Sequence, residues 1–223
     1  MKKNESTNKR KLVTEDIYSS IKEQILSYSL SPGEKVNIDQ MARELNVSNI
    51  PIREALSRLA SEGLVHIIPY KGVTVAEMSL KDLDELYEIR IELEGYAARK
   101  ATQLIPEAEI NWLDEEMKRC FLSIETCKGN LETVMKMNEQ LHGTILKYAH
   151  NENLSNLIKL SLQRIERYLI YARRDLDIET VKREWHEHQA ILSFLKERNN
   201  QMAEKAMRNH ISNSHQRTRR FFL

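Results

Sequence analysis

The chain has 223 residues, is 41% hydrophobic and 30% charged, and contains only six glycines and four prolines. That composition describes a compact, helix-rich protein with short loops, long enough for one large domain or two small ones. A net charge of +1 excludes a strongly basic nucleic-acid coat, and no apolar run approaches the ~18 residues of a membrane-spanning helix.

Residues 1–10, MKKNESTNKR, are basic and polar and no apolar core follows them, so they are expected to form a flexible tail rather than a signal peptide. Residues 1–76 carry 11 Lys+Arg against 9 Asp+Glu, so DNA binding would have to come from local placement of charge. Thr14 is the expected N-cap of a first helix with apolar residues at Ile17, Ile21, Ile25 and Leu26. Pro32-Gly33 punctuates a turn, and IDQMAREL then gives a short helix with Met41, Ala42 and Leu45 inward. Asn46-Val47 is a tight turn.

The stretch VSNIPIREALSRLASEGLV, residues 47–65, follows. Ser48 suits an N-cap, and Pro51 falls in the first turn, where the missing N–H costs little. Ile52, Ala55, Leu56 and Leu59 form an inward stripe; Asn49, Arg53 and Ser57 share the neighbouring face; Gly63 ends the helix. Two β-rich runs, Val65 to Ile68 and Gly72 to Ala76, are joined by PYKG as a hairpin.

From about residue 80 the sequence is periodic helix, with spans expected at 80–103, 107–127, 131–149, 152–174, 178–197 and 200–219. The breaks contain Pro106, Gly129, Asn151-Glu152, Asp175 to Asp177 and Asn199-Asn200. The expected fold is mainly α. A winged helix-turn-helix of three helices plus a β-hairpin wing occupies 11–77, and an all-α antiparallel bundle of about six helices occupies 80–223. Cys120 and Cys127 share a helix face at a separation awkward for a disulfide, so reduced thiols in a cytoplasm are expected.

In a winged helix-turn-helix the second helix of the motif enters the major groove by its N-terminal half. Amide side chains there read adenine edges, and Arg reads guanine or grips phosphate. An ordinary packed helix with a polar outer face fits the same periodicity. The residues tip this balance: Ser48, Pro51, Arg53, Glu54, Ala55, Leu56, Arg58, Leu59 and Glu62 to Val65 resemble the helix-turn-helix signature of the GntR superfamily. SLSPGEKV and the wing-tip Gly72 extend the resemblance over roughly residues 12–77. It implies a DNA-binding set of Arg43, Ser48, Asn49, Pro51, Arg53 and Arg58, with Lys71 and Gly72 at the wing and His66 as an extra contact. Asn49 stands where the family usually has Arg, which removes a charge and a bidentate fork and implies a different operator preference.

The second part carries a separate signal. Its inward stripes are Val134, Met135, Asn138, His142, Ile145 and Ala149; then Val181, His188, Ile191, Leu192 and Leu195; then Ala203, Ala206, Met207 and His210. Three histidines thus occupy core positions, while His186 lies off the stripe. Buried imidazoles are costly unless bonded, and a shared divalent transition ion, zinc by default, would satisfy all three. Three separately hydrogen-bonded histidines would also suffice. This region resembles the FCD effector domain of the FadR-like GntR branch, both in these histidines and in ELYEIRIELEGYAARKAT with Arg90 and Glu94. The resemblance implies a metal set of Asn138, His142, His188 and His210, with Asn138 a weaker, neutral ligand in place of the usual Asp. A small organic acid would complete the coordination, with Arg90 as its counter-charge; a simple Arg90–Glu94 pair is the alternative. Trp112, Tyr168, Tyr171 and Trp185 are expected to pack, and the basic C-terminal RTRRFF to complement a helix dipole.

The expected function is a ligand-responsive transcription regulator, a repressor, binding a near-palindromic operator as a homodimer, with no membrane partner. A metal-dependent enzyme acting on a small carboxylate is the competing class, but no general acid or base stands close by, Glu187 being expected to face away. A regulator with a metal-free pocket is the third reading.

Overall fold

A computed structural model describes the backbone of residues 2–127, 131–172 and 177–223, and side chains over 12–124, 132–172 and 177–223. The chain divides into two compact units, Met1–Ser79 and Leu80–Leu223. The breaks expected around Gly129 and at Asp175, and the side chain of Cys127, lie outside the described residues. The Cys120 thiol is free and buried, and burial raises its pKa.

In the first unit, α1 (Lys2–Leu26) is followed by β1 (Lys35–Val36), α2 (Ile38–Glu44), α3 (Asn49–Ser61), β2 (Val65–Ile68) and β3 (Gly72–Val75). Ile17, Ile21 and Ile25 of α1 pack with Ile52, Leu56 and Leu59 of α3 and with the inward valines of the strands. Two expectations for α1 are corrected. The helix begins at Lys2 rather than after a tail of ten residues, and Thr14 lies inside it instead of capping it. No proline or glycine separates Lys2 from Thr14, so a good capping residue type met no actual helix start. The Thr14 hydroxyl donates instead to Glu54 at 3.3 Å.

Both turns flanking the short helices close in the same way. After α2, Asn46 adopts φ 51°, with its N–H on the Arg43 carbonyl at 3.3 Å and the Val47 N–H on Ala42 at 3.0 Å. After α3, Gly63 adopts φ 72°, with its N–H on Ala60 and that of Leu64 on Leu59, both at 3.0 Å. These paired bonds satisfy the last carbonyls of each helix through one left-handed residue. Leu45, expected inward, is 46% exposed because it caps α2 rather than lying on its buried face.

The wing is a three-stranded antiparallel sheet in the order β1-β3-β2, not a hairpin alone. β1 pairs Lys35 with Thr74 and Val36 with Val73. Two residues are too few to show strand alternation, so only the distant partner reveals this strand.

The second unit contains α4 (Leu80–Ala101), α5 (Glu107–Cys127), α6 (Leu131–Tyr148), α7 (Glu152–Ala172), α8 (Ile178–Lys196), α9 (Asn200–Arg219) and a 3-10 turn, Arg220–Phe222. Several expected breaks work as caps. Asn151, Asp177 and Asn199 accept backbone N–H bonds from Leu154, Thr180 and Met202 at 3.1, 2.7 and 3.2 Å. α4 packs against α9, α7 and α6, and α8 against α9 and α5. Gly95 permits the α4–α9 approach, since a Cβ there would lie 2.7 Å from Cγ of Arg208. Met135, expected inward, is 48% exposed; Met137 and Leu141 fill the core of α6 instead. No helix among the described residues is long and apolar enough to cross a membrane.

Candidate functional site

α3 buries Pro51, Ile52, Ala55, Leu56 and Leu59 and leaves Arg53 and Ser57 outward. Ser48 occupies the N-cap position with extended backbone, but its hydroxyl makes no cap bond. The opening N–H groups of α3 are therefore not taken by the Ser48 side chain. Arg43 at the end of α2, Arg53 on α3 and Lys71 on the wing have exposed side chains with no protein partner among the described residues. Gly72 takes φ 103°, a conformation strained for any L side chain, beside the exposed His66 strand.

Two residues of the expected DNA set are engaged within the unit. Asn49 donates through Nδ2 to Asp39 of α2 at 2.8 Å, which ties the two helices of the motif together. Arg58 bonds Glu15 at 2.7 Å, approaches Glu62 at 3.5 Å, and lies 3.7 Å over the ring of Tyr18. The Tyr18 hydroxyl in turn donates to Glu62 at 2.8 Å. Arg58 thus clamps α3 to α1.

In the second unit His142, His188 and His210 are all buried, and their ligand atoms lie within 4.8 Å of one another. His210 is central: its Nε2 is 3.2 Å from Nε2 of His142 and 3.2 Å from Nε2 of His188. The opposite ring nitrogens face carboxylates. His142 Nδ1 is 2.5 Å from Glu94, and His210 Nδ1 is 2.8 Å from Glu187. Arg90 holds Glu94 at 2.6 Å, and Arg217 forks onto both oxygens of Glu187 at 2.7 and 2.8 Å.

Burial works to raise the Glu94 pKa, but the Arg90 guanidinium and the hydrogen bonds from Arg90 and His142 outweigh it and hold the carboxyl well below the usual range. Glu187 follows the same pattern: burial opposes, Arg217 and His210 prevail, and the value falls to about 2. Burial holds His210 below the ordinary histidine value despite Glu187. Two ionised carboxylates can only accept, so Nδ1 of His142 and of His210 must donate. In the neutral imidazoles their Nε2 atoms then carry lone pairs facing each other at 3.2 Å. Lone pairs at that distance repel unless a cation or an added proton lies between them. Two nitrogens bound tetrahedrally to zinc at ~2.0–2.1 Å stand about 3.3 Å apart, close to the spacing found here. Carboxylates on the far ring nitrogens are also the usual outer support of histidine ligands. The donor set therefore fits a divalent transition ion.

Asn138 lies one turn before His142 and beside this cluster. Its Nδ2 donates to the Val134 carbonyl at 2.9 Å and to Glu184 at 2.8 Å. A cavity of about 450 Å³ opens next to the histidines, lined by Arg90, Asn138, His142, Lys159 and His210 among others. Arg90 lines this cavity and is also paired with Glu94. Glu187 faces another side than His188, as expected, and on that side it meets Nδ1 of His210 on α9. Glu94, Glu184 and Glu187 also stand at this centre, outside the set expected from the sequence. A signal existed for Glu184, a charged residue on the inward stripe of α8 one turn before His188; Glu187 offered none, because its partner lies on another helix.

A winged helix-turn-helix followed by a helical domain with a histidine-lined cavity defines the class, a DNA-binding transcription regulator. Residues 13–75 match the bacterial regulatory proteins of the gntR family, and residues 85–213 match the FCD domain. The chain belongs to the GntR family of regulators, in the group that carries an FCD effector domain. It is 31% identical over 175 residues to the Nta operon transcriptional regulator of Aminobacter aminovorans, covering 78% of this chain and 79% of that one. An uncharacterized HTH-type transcriptional regulator of Bacillus subtilis, YdhC, is 29% identical over 197 residues, covering 87% and 86%. Among solved structures, McbR/YncC of E. coli superposes with a TM-score of 0.76 at 22% identity, over 94% of this chain and 98% of that one, which shows a shared fold. The matched families and relatives are regulators rather than enzymes.

Proposed function

We propose that the protein represses transcription as a homodimer on a near-palindromic operator, and that a small organic acid bound beside a zinc-loaded histidine centre modulates this binding. In this reading α3 lies in the major groove. Arg53 contacts base or phosphate, Ser48 and the opening N–H groups of α3 meet the backbone, and Arg43 adds a phosphate contact. Lys71 and Gly72 approach the minor groove through the wing, with His66 beside them. Asn49 reaches the groove edge only if its bond to Asp39 is exchanged, so its effect on operator preference includes breaking that bond. Pro51 stiffens the helix entry, and Arg58 supports α3 from within the unit.

The convergence of three Nε2 atoms, two of them backed by ionised carboxylates, carries the effector reading. His142, His188 and His210 would hold the ion, with the amide oxygen of Asn138 as the further protein ligand. A divalent ion there supplies a Lewis-acidic position to which a carboxylate oxygen of the effector can bind. Lys159 and Arg90, both lining the cavity, provide positive charge for the rest of an anionic ligand. A regulator acting on chromosomal operators works in the cytoplasm.

Two measurements test the proposal. Metal analysis of the purified protein should find about one divalent ion per chain, lost on chelation and absent from His188→Ala. Titration of labelled DNA from the upstream region of its own operon should find salt-dependent binding that Arg53→Ala weakens by about 1–3 kcal/mol. An Arg53→Ala protein with unchanged operator affinity would remove the α3 assignment. A wild type without metal would remove the zinc-linked effector site.

A further inference from the structure

Three neutral imidazoles and one amide bring no negative charge to a divalent ion, yet a buried carboxylate stands beside the amide. Glu184 is 3% exposed, lies one turn before His188 on α8, and accepts from Asn138 Nδ2 at 2.8 Å. The same Nδ2 donates to the Val134 carbonyl at 2.9 Å. Two acceptors on one nitrogen fix which way the amide is turned, because a flip would set Oδ1 against a carbonyl and a carboxylate. Oδ1 is then the atom of Asn138 left for a ligand. Among the described residues the tight group of ligating atoms comprises the three histidines, so Glu184 stands outside it.

We propose that Asn138 and Glu184 together do the work of one carboxylate ligand: Asn138 offers Oδ1 to the metal, and Glu184 orients the amide and supplies the negative charge through it. The inference rests on the zinc reading above and adds Glu184 as its positioning residue. Negative charge is then required at one of the two positions but not at both. An aspartate introduced at 138 while Glu184 remains would place two carboxylates within hydrogen-bond distance, where like charges oppose each other.

The experiment measures zinc affinity of the full-length protein by competition with a chromophoric chelator, in wild type, Glu184→Gln, Asn138→Asp and the double variant. Glu184→Gln should weaken zinc binding ~10–100-fold, the usual cost of losing an outer-shell partner. The double variant should recover the greater part of that loss, since the new carboxylate at 138 is oriented by the new amide at 184. Asn138→Asp should therefore gain much more affinity in the Glu184→Gln background than in wild type. Zinc binding by Glu184→Gln equal to wild type overturns the inference while leaving the zinc reading intact. A double variant no tighter than Glu184→Gln also overturns it. A wild type that takes up no zinc removes both. Should Glu184→Gln fail to fold alone, the double variant, which keeps one carboxylate in the pair, carries the test against wild type.

Discussion

Arg53 and Arg58 stand five residues apart on one helix and have opposite relations to the protein. Arg53 is exposed with no partner among the described residues, whereas Arg58 is bonded to Glu15 and stacked over Tyr18. Arg53→Ala should leave the unfolding temperature unchanged and act on DNA binding alone. Arg58→Ala should do the reverse, removing about 1 kcal/mol of stability through the lost cation–π contact and ion pair. Paired thermal melts and operator titrations separate the two. Normal stability of Arg58→Ala with loss of operator affinity would place Arg58 at the DNA instead. The same distinction applies to Asn49, whose amide looks free in the sequence and is bonded to Asp39 in the fold.

At the scale of elements, two glycines in the helical unit give opposite predictions. Gly143 on α6 has nothing within 4 Å of a built Cβ, so Gly143→Ala should gain about 1 kcal/mol from helix propensity. Gly95 on α4 has Cγ of Arg208 at 2.7 Å. Gly95→Ala gains the same propensity, but about 1–3 kcal/mol of overpacking opposes it. Its melting temperature should fall while that of Gly143→Ala rises, as calorimetry would read directly. Equal shifts would mean that α4 and α9 part more easily than this packing implies. The helix ends were legible for a related reason. Asn151, Asp177 and Asn199 are residue types that bond backbone N–H groups, and each does so here. Thr14 is the same kind of residue in a place where no helix begins, because capping chemistry does not by itself break a helix that nothing else stops.

For the whole molecule, the proposed regulation is a coupling free energy between two sites and must be reciprocal. If an organic acid weakens operator binding by some factor, operator DNA must weaken acid binding by the same factor. Unequal factors in paired titrations would show that the acid acts elsewhere. Metal should also stabilise the fold by mass action, by about 2.7 kcal/mol when free zinc is a hundredfold above its dissociation constant. Chelation should therefore lower the unfolding temperature of the wild type and leave that of His188→Ala unmoved.

The sequence by itself determined most of the helices, α3 included, and the tight turns, because periodicity, capping and left-handed turn residues act within a few residues of one another. It also placed three histidines on inward stripes, since a stripe is a property of one helix. Only the tertiary structure decided what those histidines meet. Glu94 comes to His142 from 48 residues away and Glu187 to His210 from 23, across helix contacts that no local pattern encodes. The two-residue strand β1 likewise exists only through its pairing with β3, and Glu184 meets Asn138 only because α6 and α8 bring the two together. Local chemistry chose the elements; packing between them chose the partners.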